Sequence, residues 1–552
     1  MNTTKKISNL LANALKETQK SKSIPEIETD KIIVEKPRNK KFGNWSTNIA
    51  MILAKKLKKN PLDIAEIIYE NIEKNDDIES ISLVKPGFIN FSMSKKFKAN
   101  LLKKIILEND SYGSNSDGKG KKIQIEFVSV NPTGPVHVGH ARGAIVGSCI
   151  AKILSFSGYE VSKEYYVNDA GNQINLYIDS IKSKIFSNFG KTFPFPDDGY
   201  KGEHIENISK EIISSLEINT DNLEILEEEI LRKESINITL KEIKKDLLDL
   251  GIEYDSWFYE SSLFSNNIDK IVEEILMKKN LVFEKDGATW FKASEFLTEN
   301  DVVIKRSKNE GHTYFFSDMA YHYDKFFIRK YDNVINIFGA DHHSHVDRLK
   351  SALKALNIKT DKLKILLTQI VHFKNENEVQ KFSKRSGHIY TVRDLIEIVG
   401  KDVCRFNFLS RSMDSQQEFD LQLATKESSE NPVYYVQYAY ARLCSIINSF
   451  NDNLDINKVD LDLLKSDYEK DILDYLDFFP EMILECKDKL QTQNLTQYSI
   501  DLAKSLQVFY ENCRVISDDK KLTQSRIILI TACKVVLKNT LDIMGISTPE
   551  SM

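Results

Sequence analysis

The chain has 552 residues, a formal net charge of −5 at pH 7 and 41% hydrophobic residues. At about 150 residues per domain this predicts three or four domains, each with enough apolar content for its own core. Its 81 acidic residues outnumber 76 basic ones, which argues against a protein that coats nucleic acid while leaving room for a local basic face. No run approaches the ~18 consecutive apolar residues of a membrane span, and the first twenty residues lack a leader's apolar stretch. Cys149, Cys404, Cys444, Cys486, Cys513 and Cys533 form no CxxC pair. These features predict a cytoplasmic protein with reduced thiols, no structural zinc and no membrane association.

Residues 1–112 alternate helical and strand-like segments. Ile7, Leu10, Leu11, Ala14 and Leu15 fall at helical spacing, predicting an amphipathic helix; IIVEKP and PGFINFSMS predict short strands. The Gly, Ser, Asn and Asp density from Asn109 to Gly120 predicts a domain boundary too polar to be buried. Residues 121–400 alternate strand-like runs, Ile123–Val130, Val334–Phe338 and Ile365–Ile370, with helical patterns. This predicts an α/β domain with a parallel sheet and ligands at the carboxyl ends of its strands. Within it, about 185–250 reads as a charged helical insertion presenting a solvated face. From 401 to 552 the pattern is all helical, with Asn431 and Pro432 placed as N-cap and first residue of a long helix.

The most informative stretch is NPTGPVHVGHARGA, which begins at Asn131. Pro132, Gly134 and Pro135 force an irregular turn, and His137 and His140 then share one face of the first helical turn. Gly139 lets a nucleotide approach the backbone, and a helix N-terminus favours a triphosphate. A histidine pair at this spacing is usually incidental when it stands alone. Downstream, Lys381-Phe382-Ser383-Lys384-Arg385-Ser386-Gly387 reads, taken alone, either as a solvated basic turn or as a functional loop. Asp341-His342-His343-Ser344-His345 offers metal ligands by type, although a site would need a further ligand from elsewhere.

The two motifs together resemble the HIGH and KMSKS signatures of class I aminoacyl-tRNA synthetases, with Phe382 where Met is usual. The longer string NPTGPVHVGHARGA is similar to that of the arginyl-tRNA synthetases. KPRNKKFGNWSTNIAM and PGFINF resemble that family's N-terminal tRNA-binding domain, and NPVYYVQYAYAR and LDIMGIS its anticodon-binding bundle. The resemblance implies a Rossmann-like parallel-sheet catalytic domain (121–400) between an N-terminal α+β domain that binds the tRNA D-loop (1–112) and a C-terminal all-α anticodon-binding bundle (401–552). It implies activation of L-arginine with ATP and magnesium and transfer to tRNA(Arg) by a monomer.

The same resemblance assigns ATP chemistry to His137, Gly139, His140, Lys381, Ser383 and Lys384. It places the α-amino group of arginine near Ser129, Asn131 and Asp341, and the guanidinium near Glu260, Tyr314 and Asp318, since a permanently charged planar cation calls for carboxylates. It places a D-loop base near Phe88 and Asn90, although Phe88 reads equally as a strand residue. The competing readings are a nucleotidyltransferase with an HxGH motif and a non-catalytic tRNA-binding relative. The flanking segments oppose the first; intact His137, Gly139, His140 and Lys384 oppose the second.

Overall fold

The computed structural model describes residues 2–21, 24–25, 32–37, 39–307, 312–374, 391–450 and 454–552. Helix α1 (Thr3–Lys20) is capped by Asn2 and buries Ile7, Leu11, Ala14 and Leu15. Strand β1 (Trp45–Thr47), helices α2 (Ile49–Leu57) and α3 (Pro61–Glu70), and strands β2 (Ile78–Val84) and β3 (Phe88–Met93) follow, the strands forming an antiparallel sheet in the order β1-β3-β2. The predicted strand IIVEKP is reduced to one bridge, Glu35 to Ser46. Pro37, two residues on, has no N–H with which to extend a ladder. Helix α4 (Lys95–Glu108) leads into the polar boundary segment. That segment is largely exposed, yet Tyr112 within it is 1% exposed, stacks on Phe479 and donates its hydroxyl to the Leu476 carbonyl at 2.8 Å. One aromatic thus anchors an otherwise solvated connection.

The central sheet is built from β4 (Lys122–Glu126), β5 (Glu160–Val167), β6 (Ser256–Tyr259), β10 (Asn333–Gly339) and β11 (Leu363–Thr368), all parallel, in the order β11-β10-β4-β5-β6. The first strand stops at Glu126, short of the predicted Val130, because Val128 (φ 71°) and Ser129 (φ 43°) turn the chain out of the sheet. Helix α5 (Val138–Phe156) then crosses to β5. The insertion comprises α6 (Asn172–Asn188), α7 (Glu203–Ser215) and α8 (Glu228–Asp249). It begins earlier than predicted and has an apolar inner face as well as a charged outer one, with Ile174, Ile178, Ile181, Ile205, Ile208 and Ile212 all buried.

Between β6 and β10 lie α9 (Ser261–Ser265), α10 (Ile268–Lys278), an antiparallel sheet of β7 (Val282–Lys285), β8 (Ala288–Phe291) and β9 (Val302–Lys305), and α11 (Tyr314–Tyr323), which runs on into a wider π-helical turn, Asp324–Ile328. Helix α12 (His343–Ala355) joins β10 to β11. Beyond the sheet, β12 (Val371–Lys374) pairs in parallel with β13 (Gln417–Asp420), and α13 (Val392–Val399) and α14 (Lys401–Leu409) lie between them. After the short α15 (Leu421–Ala424), helices α16 (Pro432–Asn448), α17 (Asp467–Lys489), α18 (Gln493–Asn512) and α19 (Lys520–Met544) form the bundle. Pro432 opens α16 as predicted, but the Asn431 amide does not cap it; it turns back to donate to the carbonyls of Ala424 and Lys426.

The contacts that join these parts include two further sets. At the seam between the N-terminal residues and α17, Asp477 accepts from Thr3 Oγ1 at 2.5 Å and Trp45 Nε1 at 2.8 Å, and Asp474 accepts from Asn44 at 2.6 Å. On the other side, the fully buried Arg405 of α14 donates to the Met544 carbonyl (2.7 Å), the Leu250 carbonyl (3.0 Å) and Ser148 Oγ of α5 (3.0 Å). Gly545 ends α19 in the left-handed region (φ 71°), and a Cβ there would stand 2.6 Å from Arg405 Nε.

Candidate active site

Strand order changes direction between β4 and β10, and at their carboxyl ends opens a cavity of about 2240 Å³. An open parallel sheet holds its ligands at such a place. The walls are the turn after β4, residues 200–204 and Asn207 of the insertion, residues 297–303 and Arg306, and parts of α11 and α12. The volume exceeds the ~300–1,000 Å³ of an ordinary small-ligand pocket, so several substrate groups fit together.

The turn ahead of α5 is fixed from outside. Val392 N donates to the Val136 carbonyl at 2.8 Å, Thr391 bridges to His137, and Thr391 with Asp394 forms the capping box of α13. His137 caps α5, its Nδ1 accepting from Gly139 N at 3.2 Å, and its ring centroid lies 3.7 Å from that of His140. A Cβ on Gly139 would stand 2.9 Å from His137 Cε1. The glycine therefore makes room for the imidazole itself, a tighter requirement than the nucleotide approach predicted from sequence. Burial lowers the pKa of His137 and, with His137 nearby and Asp341 opposing, brings His140 to about 4. Both rings are neutral at pH 7 and offer an anion dipoles instead of charge. Among the described residues, the buried His140 Nδ1 has no hydrogen-bond partner.

Beneath the cavity, Glu126, Glu164 and Asn336 occupy adjacent register positions on β4, β5 and β10. Neighbouring carboxylates repel across a sheet, and cations from the π-helical turn, Lys325, and from the residue after it, Arg329, compensate them. Lys325 Nζ donates to Glu126 Oε2 at 2.7 Å and Asn336 Oδ1 at 3.2 Å. Arg329 pairs with both oxygens of Glu164 and with Asp324. Burial pushes Glu126 up against the pull of Lys325, whereas for Glu164 the opposing Arg329 bonds and charge outweigh burial and lower it. Ser129 Oγ donates to Glu126 Oε1 at 3.2 Å and accepts from Tyr166 N at 3.1 Å.

Ser129, Asn131, His137, His140, Tyr314, Asp318 and Asp341 all line the cavity. Asn131 bonds Gln173, Tyr314 stands exposed at the mouth, and the Asp341 carboxylate is largely exposed. Asp318 Oδ2 is bonded by His345 Nε2 at 2.6 Å. Glu260 is 5% exposed and lies behind Tyr166, which lines the wall. Burial, eased by the Ser317 hydroxyl and reinforced by the charge of Asp318, raises Glu260 to about 7. Lys381, Ser383 and Lys384 lie outside the described residues. Phe88 and Asn90 lie apart from the cavity in β3; Phe88 is half-buried and Asn90 is 2% exposed, paired in register with Ser46 and Ser82. Sequence reasoning did not single out Glu126, Tyr166 or Lys325, and named His345 only as part of a run of metal-ligand types. The one available signal was the charge that ends the apolar run IQIE. In the DHHSH run His342 lies 3.6 Å from Asp341 while His345 turns to Asp318, and among the described residues no three His, Cys, Asp or Glu side chains group as a metal site requires.

Three family models cover the chain: "Arginyl tRNA synthetase N terminal domain" at residues 5–93, "tRNA synthetases class I (R), catalytic domain" at 101–427, and "DALR anticodon binding domain" at 436–552. An arginine–tRNA ligase of Acetivibrio thermocellus is 41% identical over 99% of this chain and 98% of its own length. One of Caldanaerobacter subterraneus is 43% identical over 99% and 98%. The fold matches Thermus thermophilus arginyl-tRNA synthetase with a TM-score of 0.78 at 22% identity, covering the whole of both chains. The chain belongs to the arginyl-tRNA synthetase family.

Proposed function

We propose that the chain, an arginine–tRNA ligase by family, carries out both steps of its reaction in this one cavity. A carboxylate oxygen of L-arginine attacks the α-phosphorus of ATP, which enters as its magnesium complex, and pyrophosphate leaves. A hydroxyl of the terminal ribose of tRNA(Arg) then attacks the acyl carbon of arginyl-adenylate, and AMP leaves. His137 and His140 at the start of α5 hold the phosphate and adenosine side, with Gly139 seating His137. Lys381, Ser383 and Lys384 carry the charge of the departing pyrophosphate, a task of positioning and electrostatics that needs no covalent nucleophile.

Asp318 takes the guanidinium, with Tyr314 covering it and Glu260 behind. A fixed cation arriving there draws Glu260 toward its ionised form. Ser129, Asn131 and Asp341 receive the α-amino end. Residues 1–112 grip the tRNA D-loop, with the Phe88 ring as the contact and buried Asn90 acting through the sheet; residues 401–552 grip the anticodon arm. The observation that supports this reading is that Asp318 and the paired histidines line one cavity.

Aminoacylation of total tRNA with each of the twenty amino acids, beside ATP–pyrophosphate exchange with and without tRNA, tests this. Charging with arginine alone, and exchange near background without tRNA, are expected. Adenylate formation without charging would point to a nucleotidyltransferase, and silence in both assays to a non-catalytic relative. Lys384→Ala lowers turnover and spares arginine affinity, Asp318→Asn chiefly weakens arginine, and swapped phenotypes would overturn the role assignments.

A further inference from the structure

His345 belongs to no step of the reaction above, yet it makes the closest side-chain contact to the proposed guanidinium partner. Its Nε2 lies 2.6 Å from Asp318 Oδ2. It starts from the first turn of α12, and its ring is held edge-on by Phe315 of α11 (6.0 Å) and Phe338 of β10 (6.3 Å). Asp318 is fixed from its other side through its own carbonyl, which meets His322 Nδ1 at 2.8 Å, while His322 Nε2 meets Asn336 Nδ2 at 2.9 Å. A carboxylate whose rotation is set by one N–H keeps its remaining lone pairs for a planar cation.

We propose that His345 is the positioning and specificity residue of the arginine pocket: its N–H orients Asp318, and its proton content sets how much negative charge Asp318 presents to a cationic side chain. This rests on Asp318 being the guanidinium partner. With neutral His345, Asp318 offers a full negative charge to the guanidinium. With protonated His345 a second cation already occupies one side of the same carboxylate, and an arriving guanidinium meets like charge as well as unlike.

The surroundings let the histidine titrate while the aspartate stays ionised. Burial lowers the His345 pKa, but the Asp318 bond and charge outweigh it and raise the group above its ordinary 6.5; Arg348 on the same helix opposes. Burial raises Asp318, but His345, His322 and Lys325 outweigh it and hold the carboxyl below its ordinary 3.8. His322, the other imidazole facing Asp318, is brought to about 3 by burial and Lys325 and stays neutral throughout. Glu126 and Glu260 lie on the far side, each feeling the charge of Asp318.

The test is the pH dependence of KM for arginine, with kcat taken from the same aminoacylation assays, in the wild type, His345→Gln, His345→Ala and Asp318→Asn. In the wild type KM rises severalfold as pH falls through the titration of His345. Gln keeps an N–H donor and cannot titrate, so His345→Gln should hold KM near the wild-type high-pH value with the slope gone. His345→Ala loses the orienting bond and should raise KM severalfold at every pH, again without the slope. A slope that persists in His345→Gln, or a His345→Ala enzyme with wild-type KM, overturns the proposal. If Asp318→Asn leaves KM unchanged, the reading of Asp318 as guanidinium partner fails. If Asp318→Asn weakens arginine while both histidine variants follow the wild type, the role of His345 alone fails.

Discussion

Glu164 beneath the catalytic sheet and Asp477 in the seam between the N-terminal residues and the bundle are both carboxylates taken out of water, and their surroundings treat them differently. Glu164 receives Gln124, Tyr321 and a guanidinium, Arg329, and is held below its ordinary pKa. Asp477 receives a hydroxyl and an indole N–H, and burial, only partly offset by these and worsened by Asp474, brings it to about 6. Where charge must persist under a reaction site the fold supplies matching cations. At Asp477 the direct donors are uncharged and Lys36 acts only from nearby, so its charge becomes conditional on pH.

The sharpest way to break this comparison is to unbalance the catalytic network. Lys325→Met strands Glu126 as a buried unpaired charge and should cost about 3–5 kcal/mol, read as a lowered urea midpoint at constant slope; a loss under ~1 kcal/mol would show that the pairing is incidental. Next is the pH dependence of the two regions, which has opposite sign. Asp477, raised from 3.8 to about 6, binds its proton more tightly when folded, so its contribution is full below 3.8 and disappears as pH rises through 6, a change of about 2–3 kcal/mol. Glu164, lowered from 4.5, contributes above that value and loses its contribution as pH falls through its folded pKa. Denaturation monitored separately at the seam and in the catalytic sheet should therefore show a loss at the seam as pH rises from 4 to 7 and a loss in the sheet as pH falls below 4.5, and parallel trends would remove the distinction.

Trp45→Phe takes away one of the two donors to Asp477 and should cost about 1–3 kcal/mol, seen as faster proteolysis in the boundary after α4 with little change in the sheet. The smallest effect is expected of Asp477→Asn at pH 5, within about 1 kcal/mol of the wild type. The same variant at pH 8 should be the more stable protein, because the ionised carboxylate has been removed; a variant less stable than wild type at pH 8 would mean that the seam needs the charge after all.

Much of this site was legible because its signals are local. The prolines and glycines ahead of His137, the three-residue spacing to His140 and the apolar stripe of α1 each follow from neighbouring residues. Lys325 and Arg329 were not legible, because in YHYDKFFIRKY they look like the charged residues that ordinarily face water. Only the parallel register that lines up Glu126 with Glu164, two strands joined through α5, creates the need for cations there. Tyr112 was hidden by the polarity around it, and Asn431 had the right residue type and position for a cap while its side chain answered two carbonyls farther back. Glu260 and Asp318 were named through family likeness alone; the burial of Glu260 and the histidine on Asp318 depend on contacts that no local pattern encodes.

Arg405 ties that dependence to the timing of synthesis. Its Nε acceptor, the Met544 carbonyl, lies 139 residues downstream, so a growing chain that has already made β4 through α14 still carries a guanidinium missing one of its partners. Ser148 of α5 can meet Arg405 earlier, but the guanidinium that joins α5, Leu250 and the bundle gains its full set of partners only once Met544 has emerged.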